Sequence, residues 1–134
     1  MWLYDDTELT EVPEGYVGFV YLIENLLTGR QYVGKKNFFS TRRKRVAGKS
    51  RRKTITTESD WREYHGSNSV LVADVQTHGV QHFRHQILRL CKSKAEMSYY
   101  EIKEQIDREV LFKPEAYYNN FIGCRIHGKH MKKS

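Results

Sequence analysis

Two short extended segments joined by a glycine-containing turn constrain the fold of this 134-residue chain more than any other feature. In residues 17–24 every second side chain is large, which is the two-residue period of a β-strand. Residues 25–29 form a turn, and the extended run resumes at residues 31–33. The pattern predicts a twisted hairpin that brings Tyr21 close to Tyr32. Because tyrosine favours strands, the two residues could also be ordinary core residues.

Positive charge is concentrated after the hairpin turn. The formal net charge is +7, and all 23 Lys and Arg residues lie at or after Arg30. Residues 1–29 hold six of the 16 acidic residues. The rest of the chain is therefore strongly cationic, and a polyanion is its natural partner. Residues 1–14 are expected to form a separate acidic segment that could fold over the basic region.

The densest positive charge lies in residues 35–53, which contain no acidic residue. Gly48 and Ser50 predict a mobile loop that nucleic acid would order. Such a run can also be a solvated loop or an address signal. Its start directly after Gly34 favours nucleic acid held close to the two tyrosines. The residues predicted to bind nucleic acid are Lys36, Arg43, Lys44, Arg45, Lys49, Arg51, Arg52 and Lys53, together with His65.

A helix and a third strand follow the basic stretch. Ser67 or Ser69 can cap a helix that runs to about His78 and stops at Gly79. Residues 83–90 then form a third strand. With the second helix described next, these elements predict an α/β fold, in which a small three-stranded antiparallel sheet is flanked by helices.

The second helix is marked by a capping box, Ser93 followed by Glu96, and is expected over residues 94–111. Glu101 and Glu104 lie off its predicted apolar stripe, so either carboxylate could face a cleft or water. The residues predicted to form the buried stripe are Tyr99, Ile102, Ile106 and Val110.

The spacing of the two tyrosines resembles that of the GIY-YIG nuclease family, which is named for its Gly-Ile-Tyr and Tyr-Ile-Gly triplets. Residues 19–21, Phe-Val-Tyr, stand at the first triplet, and residues 32–34, Tyr-Val-Gly, stand at the second. The first match departs from the pattern because Phe19 replaces a glycine and Gly18 comes one residue early. The resemblance extends over residues 17–122 and implies a nuclease fold.

The resemblance also implies a catalytic set. In the family, an arginine follows the second tyrosine, a glutamate lies on a later helix, and an asparagine follows that helix. Glu101 would hold a divalent metal ion, Arg42 would bind phosphate oxygens, and Tyr21 would orient or deprotonate the water. Tyr32 would contact the water or the phosphate, and Asn119 would hold the site together. The implied catalytic residues are Tyr21, Tyr32, Lys35, Arg42, Glu101 and Asn119.

Three of these assignments have open alternatives. Glu104 also fits the family order for the metal ligand, and Arg51 or Arg52 could replace Arg42 as the arginine. Many members carry a His or Tyr four residues after that arginine, where this chain has Val46. Another nearby ring could take that place, and the candidates are His65 and Tyr64.

The implied activity is that of a metal-dependent DNA endonuclease that uses Mg²⁺, or else Mn²⁺, on double-stranded DNA. Small members resemble phage-encoded or homing enzymes, so the expected location is the cytoplasm, that of a bacterial host if the protein is phage-encoded. A double-strand cut would need two subunits or two visits. A non-catalytic nucleic-acid-binding module and a basic structural protein of a ribosome or virion are the alternatives.

The expected domain organisation is the acidic segment 1–14, a nuclease domain over residues 15–123 and a basic tail over residues 124–134. No apolar run is long enough for a membrane span or a secretory signal. Cys91 and Cys124 are expected to be reduced, since no Cys-x-x-Cys is present. The histidine pairs at 82/85 and 127/130 lack further ligands for zinc.

Overall fold

The computed structural model describes residues 1–45, 48 and 52–123, with the backbone alone at positions 43–45, 52 and 53. The described chain has the predicted α/β class and carries short 3-10 turns at Trp61–Glu63, Val80–His82 and Val110–Phe112. Its regular elements are β1 (Trp2–Tyr4), β2 (Thr7–Glu8), β3 (Gly18–Asn25), β4 (Gln31–Asn37), β5 (Phe39–Arg45), β6 (Arg52–Glu58), α1 (Ser69–His78), β7 (Phe83–Cys91) and α2 (Lys94–Asp107).

The predicted hairpin is formed by β3 and β4, which pair antiparallel. Tyr21 stands opposite Gly34, and Ile23 stands opposite Tyr32. Because residues two apart in a strand share a face, the two tyrosines lie on the same face of the sheet. The turn closes where Gly29 adopts a φ of +79°, a conformation that glycine reaches without steric cost.

The prediction of three strands is wrong, because the N-terminus adds two strands to the sheet. The strand order is β2-β1-β7-β3-β4, in which β1 runs parallel to β7 and the other neighbours are antiparallel. Trp2 anchors the addition: its side chain is only 1% exposed, and its Nε1 donates to the Trp61 carbonyl over 2.7 Å. Its ring lies 5.0 Å from the rings of Phe19 and Tyr21.

The acidic N-terminal residues make ion pairs outside the basic stretch. Asp6 pairs with Arg84 at 3.1 Å, and Glu11 lies 3.6 Å from Arg62. Residues 1–14 therefore supply strands and a core tryptophan. Their removal should destabilise the sheet rather than uncover a binding loop.

Residues 35–53 were predicted to form a loop, but the part of them that the structure describes consists mainly of strands. The stretch begins as β4, and β5 and β6 then form a two-stranded antiparallel ribbon. Alternating threonines in β6 favour a strand, and this pattern was hidden by the surrounding charge. Lys49 and Arg51 lie outside the described residues, as does Val46.

Helix α1 ends at Gly79 as predicted, but it is capped by Asn68 rather than by a serine. The Asn68 side chain accepts hydrogen bonds from the backbone N–H groups of Val70 and Leu71, at 3.0 and 3.1 Å. An asparagine is as good an N-cap as a serine, so composition alone could not place the start.

Helix α2 begins at the predicted cap, where the Ser93 hydroxyl accepts from the Glu96 N–H over 3.0 Å. The predicted apolar stripe is wrong at two of its four residues, since Tyr99 is 45% exposed and Ile106 is 58% exposed, whereas Val110 is buried as predicted. The face that packs inward is mainly polar because it borders a cleft, and it carries Met97, Ser98, Glu101 and Gln105.

No helix of the described chain is long and apolar enough to cross a bilayer. Cys91 is a buried free thiol, and burial raises its pKa to about 12. Cys124, the histidines at 127 and 130, and the tail over residues 124–134 lie outside the described residues.

Candidate active site

The phenol of Tyr21 occupies the space above Gly34, its partner in the neighbouring strand. A Cβ atom on Gly34 would stand 2.6 Å from Cζ of Tyr21 and 2.9 Å from a ring carbon of Tyr32. The centroids of the two tyrosine rings are 6.1 Å apart, so the predicted proximity of the phenols is confirmed. Glycine is needed here because the Tyr21 phenol fills the space that a Cβ atom would take.

Tyr21 is fully buried, and its hydroxyl has no hydrogen-bond partner among the described residues. Burial raises the pKa of Tyr21 well above its usual value, and the phenols of Tyr64 and Tyr32 raise it further. Tyr64 is held over this ring by Lys36, whose Nζ lies 4.1 Å from the Tyr64 ring centroid and 2.7 Å from Asp60. The pKa shift is opposite to the one that deprotonation of water by Tyr21 would need.

Tyr32 differs from Tyr21 because it reaches an open cleft. Its hydroxyl lies 2.9 Å from Oγ of Ser67, and either oxygen can donate. Burial raises the pKa of Tyr32, and the hydrogen bond with Ser67 opposes that rise. The hydroxyl of Tyr32 is therefore neutral near pH 7 and is available to a ligand in the cleft.

Asn119 covers the outer edge of β4. Its Oδ1 accepts from the Val33 N–H at 3.0 Å, and its Nδ2 donates to the Val33 carbonyl at 2.8 Å. Gln105 of α2 also donates to that carbonyl, over 3.1 Å. Residues 116–118 continue along the edge, where they exchange backbone hydrogen bonds with Gln31. The chain after α2 thus protects the edge strand and fixes Asn119 beside the cleft.

The two candidate glutamates of α2 have different surroundings. Glu101 lines the cleft, and burial raises the pKa of its carboxyl group while the charge of Lys35 opposes that rise. Glu104 instead accepts from Nε of Arg108 over 3.0 Å. Lys35 donates to Oγ of Ser98 at 2.8 Å, one turn before Glu101 on the helix. This geometry favours Glu101 over Glu104 as the carboxylate that meets a ligand.

A cleft of about 390 Å³ joins side chains from four separate parts of the chain. Tyr32 comes from β4, Glu101 comes from α2, and Asn119 comes from the segment after α2. The amino end of α1 also lines the cleft, and the partial positive charge of a helix N-terminus favours an anion there. The cleft is lined by Tyr32, Ser67, Asn68, Ser69, Glu101, Gln105, Asn119, Asn120, Phe121 and Gly123.

Several predicted residues do not line the cleft: Tyr21, Lys35, Arg42 and His65. Arg42 is exposed on β5 opposite Ile55, and its side chain makes no hydrogen bond or ion pair with another described residue. His65 faces His85, with 3.0 Å between its Nδ1 and the partner's Nε2. His85 is buried, and burial lowers its pKa to about 4. The two rings form a structural pair, and of the two alternatives to Val46 it is Tyr64 whose ring packs against Tyr21, with 6.0 Å between the ring centroids.

The donor set of the cleft fits a weakly held hard cation. Among the described residues, no group of three or more His, Cys, Asp or Glu side chains could hold a metal ion. Glu101 offers one carboxylate, and Tyr32 and Asn120 add neutral oxygens nearby. Mg²⁺ in proteins is often held by one or two carboxylates, waters and substrate phosphates, so this set suits it.

Several residues of the cleft were missed from the sequence. Asn68 was missed because Ser67 or Ser69 was the expected cap of α1. Gln105 was hidden because a polar residue on a helix is usually solvated. Its i+4 spacing from Glu101 was the available signal, since such neighbours share a helix face.

The family model described as "Putative endonuclease segE, GIY-YIG domain" matches residues 2–122 of the chain. The match includes β1 and β2 and ends just before the last described residue. No curated protein and no solved structure is significantly similar to the chain.

Proposed function

The chain belongs to the GIY-YIG nuclease family, and we propose that it is a metal-dependent endonuclease that hydrolyses phosphodiester bonds of double-stranded DNA. The family assignment supports a nuclease function and a nucleic-acid substrate. The convergence of Tyr32, Glu101 and Asn119 on one cleft is the observation that carries the proposal.

Glu101 is the residue that would hold the divalent ion, Mg²⁺ or alternatively Mn²⁺. When bound, such an ion polarises the scissile phosphate and stabilises the departing oxygen. The positive charge of Lys35 favours the ionised form of the Glu101 carboxyl group and so opposes the effect of burial. Lys35 is itself oriented by its hydrogen bond to Ser98.

The cleft walls can position a phosphate and a water. The hydroxyl of Tyr32 can donate to either one, and Ser67 fixes that hydroxyl in place. The amino end of α1 lies at the cleft, and the helix dipole favours the negative charge of a phosphate there. Asn119 uses both of its polar atoms on Val33, so it positions the strand that carries Tyr32.

Tyr21 would contribute as a neutral phenol. Its raised pKa keeps the proton on the oxygen near neutral pH, so it can donate a hydrogen bond but is a poor acceptor of the water proton. The ring of Tyr64 packs edge-on against the ring of Tyr21, with 6.0 Å between the centroids, and so belongs to the surroundings that bury this phenol. In this proposal Tyr32 is the first phenol that a substrate meets.

Arg42 is proposed to bind the DNA backbone beyond the scissile phosphate, since it is exposed on the β5–β6 ribbon. A phage-encoded or homing role in a bacterial cytoplasm belongs to the same proposal and is supported by the resemblance alone. Paired cuts would arise from two subunits or from two visits.

Nicking of supercoiled plasmid in the presence of Mg²⁺ tests the proposal. Glu101→Gln should remove nearly all cleavage, because it deletes a ligand charge, while thermal stability and DNA affinity stay close to wild type. Glu104→Gln is the matched control on the same helix: it loses only the partly exposed ion pair with Arg108, which contributes at most about 1 kcal/mol.

Two results would oppose the proposal. Equal cleavage by wild type and Glu101→Gln would remove Glu101 from the chemistry. Tight DNA binding without any cleavage by wild type, in Mg²⁺ or Mn²⁺, would instead support a non-catalytic binding module.

A further inference from the structure

The β5–β6 ribbon projects from the protein without packing on another element. Its two strands pair with each other, and no further helix or strand of the described chain packs extensively against them. All of its described side chains are exposed except Ile55, which is half-buried. An isolated two-stranded ribbon is only marginally stable in water. A bound partner would add the stability that the two-stranded ribbon lacks by itself.

The base of the ribbon is fixed to the core. Phe38, directly before β5, is fully buried, and its ring lies 5.1 Å from the rings of both Phe19 and Trp61. Its N–H donates to the Val17 carbonyl at 2.9 Å, and its carbonyl accepts from Ser59 at 2.8 Å. These hydrogen bonds fix the start of β5 and the end of β6 to the core. The core therefore sets the direction in which the ribbon projects.

The register distributes positive charge over both faces of the ribbon. Arg42 pairs with Ile55 and Lys44 pairs with Lys53, and these positions belong to one face. Arg45 pairs with Arg52 on the other face, to which Arg43 also belongs. The backbone register therefore places Arg and Lys positions on both faces of the ribbon.

We infer that the β5–β6 ribbon enters the major groove of B-form duplex DNA and thereby makes duplex DNA the preferred substrate of the cleft. This inference rests on the proposed nuclease function. The B-form major groove is about 12 Å wide and admits a two-stranded ribbon, and it places a phosphate backbone on either side. Seven residues per strand reach roughly 24 Å, which is about seven base pairs along the duplex.

The same geometry disfavours RNA. The major groove of an A-form helix is deep and too narrow for side chains to read. A ribbon with cations on one face only could lie along a single backbone of either duplex. With cations on both faces, it matches a groove that has phosphates on both sides.

A second basic surface lies at the base of the ribbon. A hollow of about 370 Å³ is found there, and Lys35, Lys36 and Lys94 are among the residues that line it. Lys35 is the same lysine whose charge favours the ionised form of Glu101. A DNA backbone that leaves the groove along this hollow would therefore pass a lysine that acts on the proposed metal ligand.

Fluorescence anisotropy in EDTA tests the inference without cleavage. The probes are a 20-base-pair DNA duplex, an RNA duplex of the same sequence and the single DNA strand. Wild type should bind the DNA duplex at least about tenfold more tightly than the other probes. Replacement of residues 42–55 by Asn-Gly should abolish this preference and weaken binding to the DNA duplex by roughly a hundredfold or more. Since the ribbon is not packed against the core, the replaced protein should keep its melting temperature.

Two matched variants separate charge from shape. Arg42, Arg43 and Arg45 changed together to Lys should keep the preference for the DNA duplex. The same three residues changed to Gln should reduce the slope of log K against log salt by about three units. Methylation of guanine N7 in the major groove should block binding, whereas methylation of adenine N3 in the minor groove should not.

Three outcomes would overturn the inference: equal affinity of wild type for the DNA and RNA duplexes, an unchanged preference after ribbon replacement, or interference confined to adenine N3. Failure of the nuclease proposal looks different. Cleavage of bis(4-nitrophenyl) phosphate by wild type requires the cleft but no groove, so it tests the nuclease proposal separately from duplex binding. If wild type does not cleave this substrate but keeps its preference for the DNA duplex, that result counts against the nuclease proposal alone.

Discussion

Replacing Asn119 by alanine should destabilise the protein by about 2 kcal/mol, because the Val33 N–H would lose the acceptor that Asn119 supplies. The Val33 carbonyl is better protected, since Gln105 donates to it as well as Asn119. A buried N–H that is left without an acceptor lowers the free energy of unfolding by about 1–3 kcal/mol. A carbonyl that keeps one of its two donors lowers it by less. For a chain of this size, about 2 kcal/mol corresponds to a fall in Tm of roughly 6–10 °C.

Gln105→Met is the matched control. It removes the second donor to Val33 with little change in volume, and Asn119 continues to satisfy that carbonyl. The expected cost is about 0.5–1 kcal/mol. Asn119→Asp should be at least as destabilising as Asn119→Ala, because its second oxygen would face the Val33 carbonyl without a proton to donate.

Differential scanning calorimetry and urea denaturation provide the measurement. Wild type should have the highest Tm, Gln105→Met an intermediate Tm and Asn119→Ala the lowest. An alanine variant as stable as wild type, or a methionine variant that loses more, would refute the account of the β4 edge. Loss of cleavage by Asn119→Ala at a temperature where it remains folded would show that the edge also positions Tyr32.

Three further predictions follow from the site and its core. Tyr21→Phe should leave stability unchanged or slightly higher, because it removes an unpaired buried hydroxyl. Tyr32→Phe should cost about 1 kcal/mol through loss of the bond with Ser67, and cleavage by both variants should fall by orders of magnitude in the plasmid assay. Gly34→Ala should cost about 1–3 kcal/mol in thermal denaturation, since its Cβ overlaps the Tyr21 phenol; an unchanged Tm would contradict that packing. The pKa of His85, about 4, lies below that of an unfolded histidine, so the unfolded state binds the proton first as pH falls. The contribution of His85 to the free energy of unfolding should therefore be fully present above about pH 6.5, and the protein should be less stable by roughly 3 kcal/mol below pH 4. In urea titrations at pH 7, 5.5 and 4, His85→Gln should make stability depend less on pH.

The local elements were largely predictable because short-range signals govern them. The hairpin followed from alternating side chains and the turn at Gly29, and the start of α2 followed from Ser93 and Glu96. The proximity of Tyr21 and Tyr32 could be predicted because their spacing sets the register of the two strands across such a turn. The family resemblance rested on the same residues, and the family match confirms it.

Long-range contacts decided the features that were predicted wrongly. Trp2 looked like part of an acidic segment, yet its burial against Phe19 adds β1 to the sheet. The inward face of α2 is polar, so hydrophobic periodicity pointed to exposed residues such as Ile106. Periodicity reports burial in an apolar core, and it gives no signal for a helix face that borders a cleft.

In the candidate site, too, some features follow from the local sequence and others follow from long-range contacts. The sequence by itself determined which residue types were present: two tyrosines near a glycine, a helical glutamate and a later asparagine. Only the tertiary structure placed Glu101 in the cleft and paired Glu104 with Arg108. It also buried Tyr21 and left Tyr32 open, because the covering ring of Tyr64 comes from a segment far along the chain. Access and pKa depend on such distant neighbours, and local sequence does not encode them.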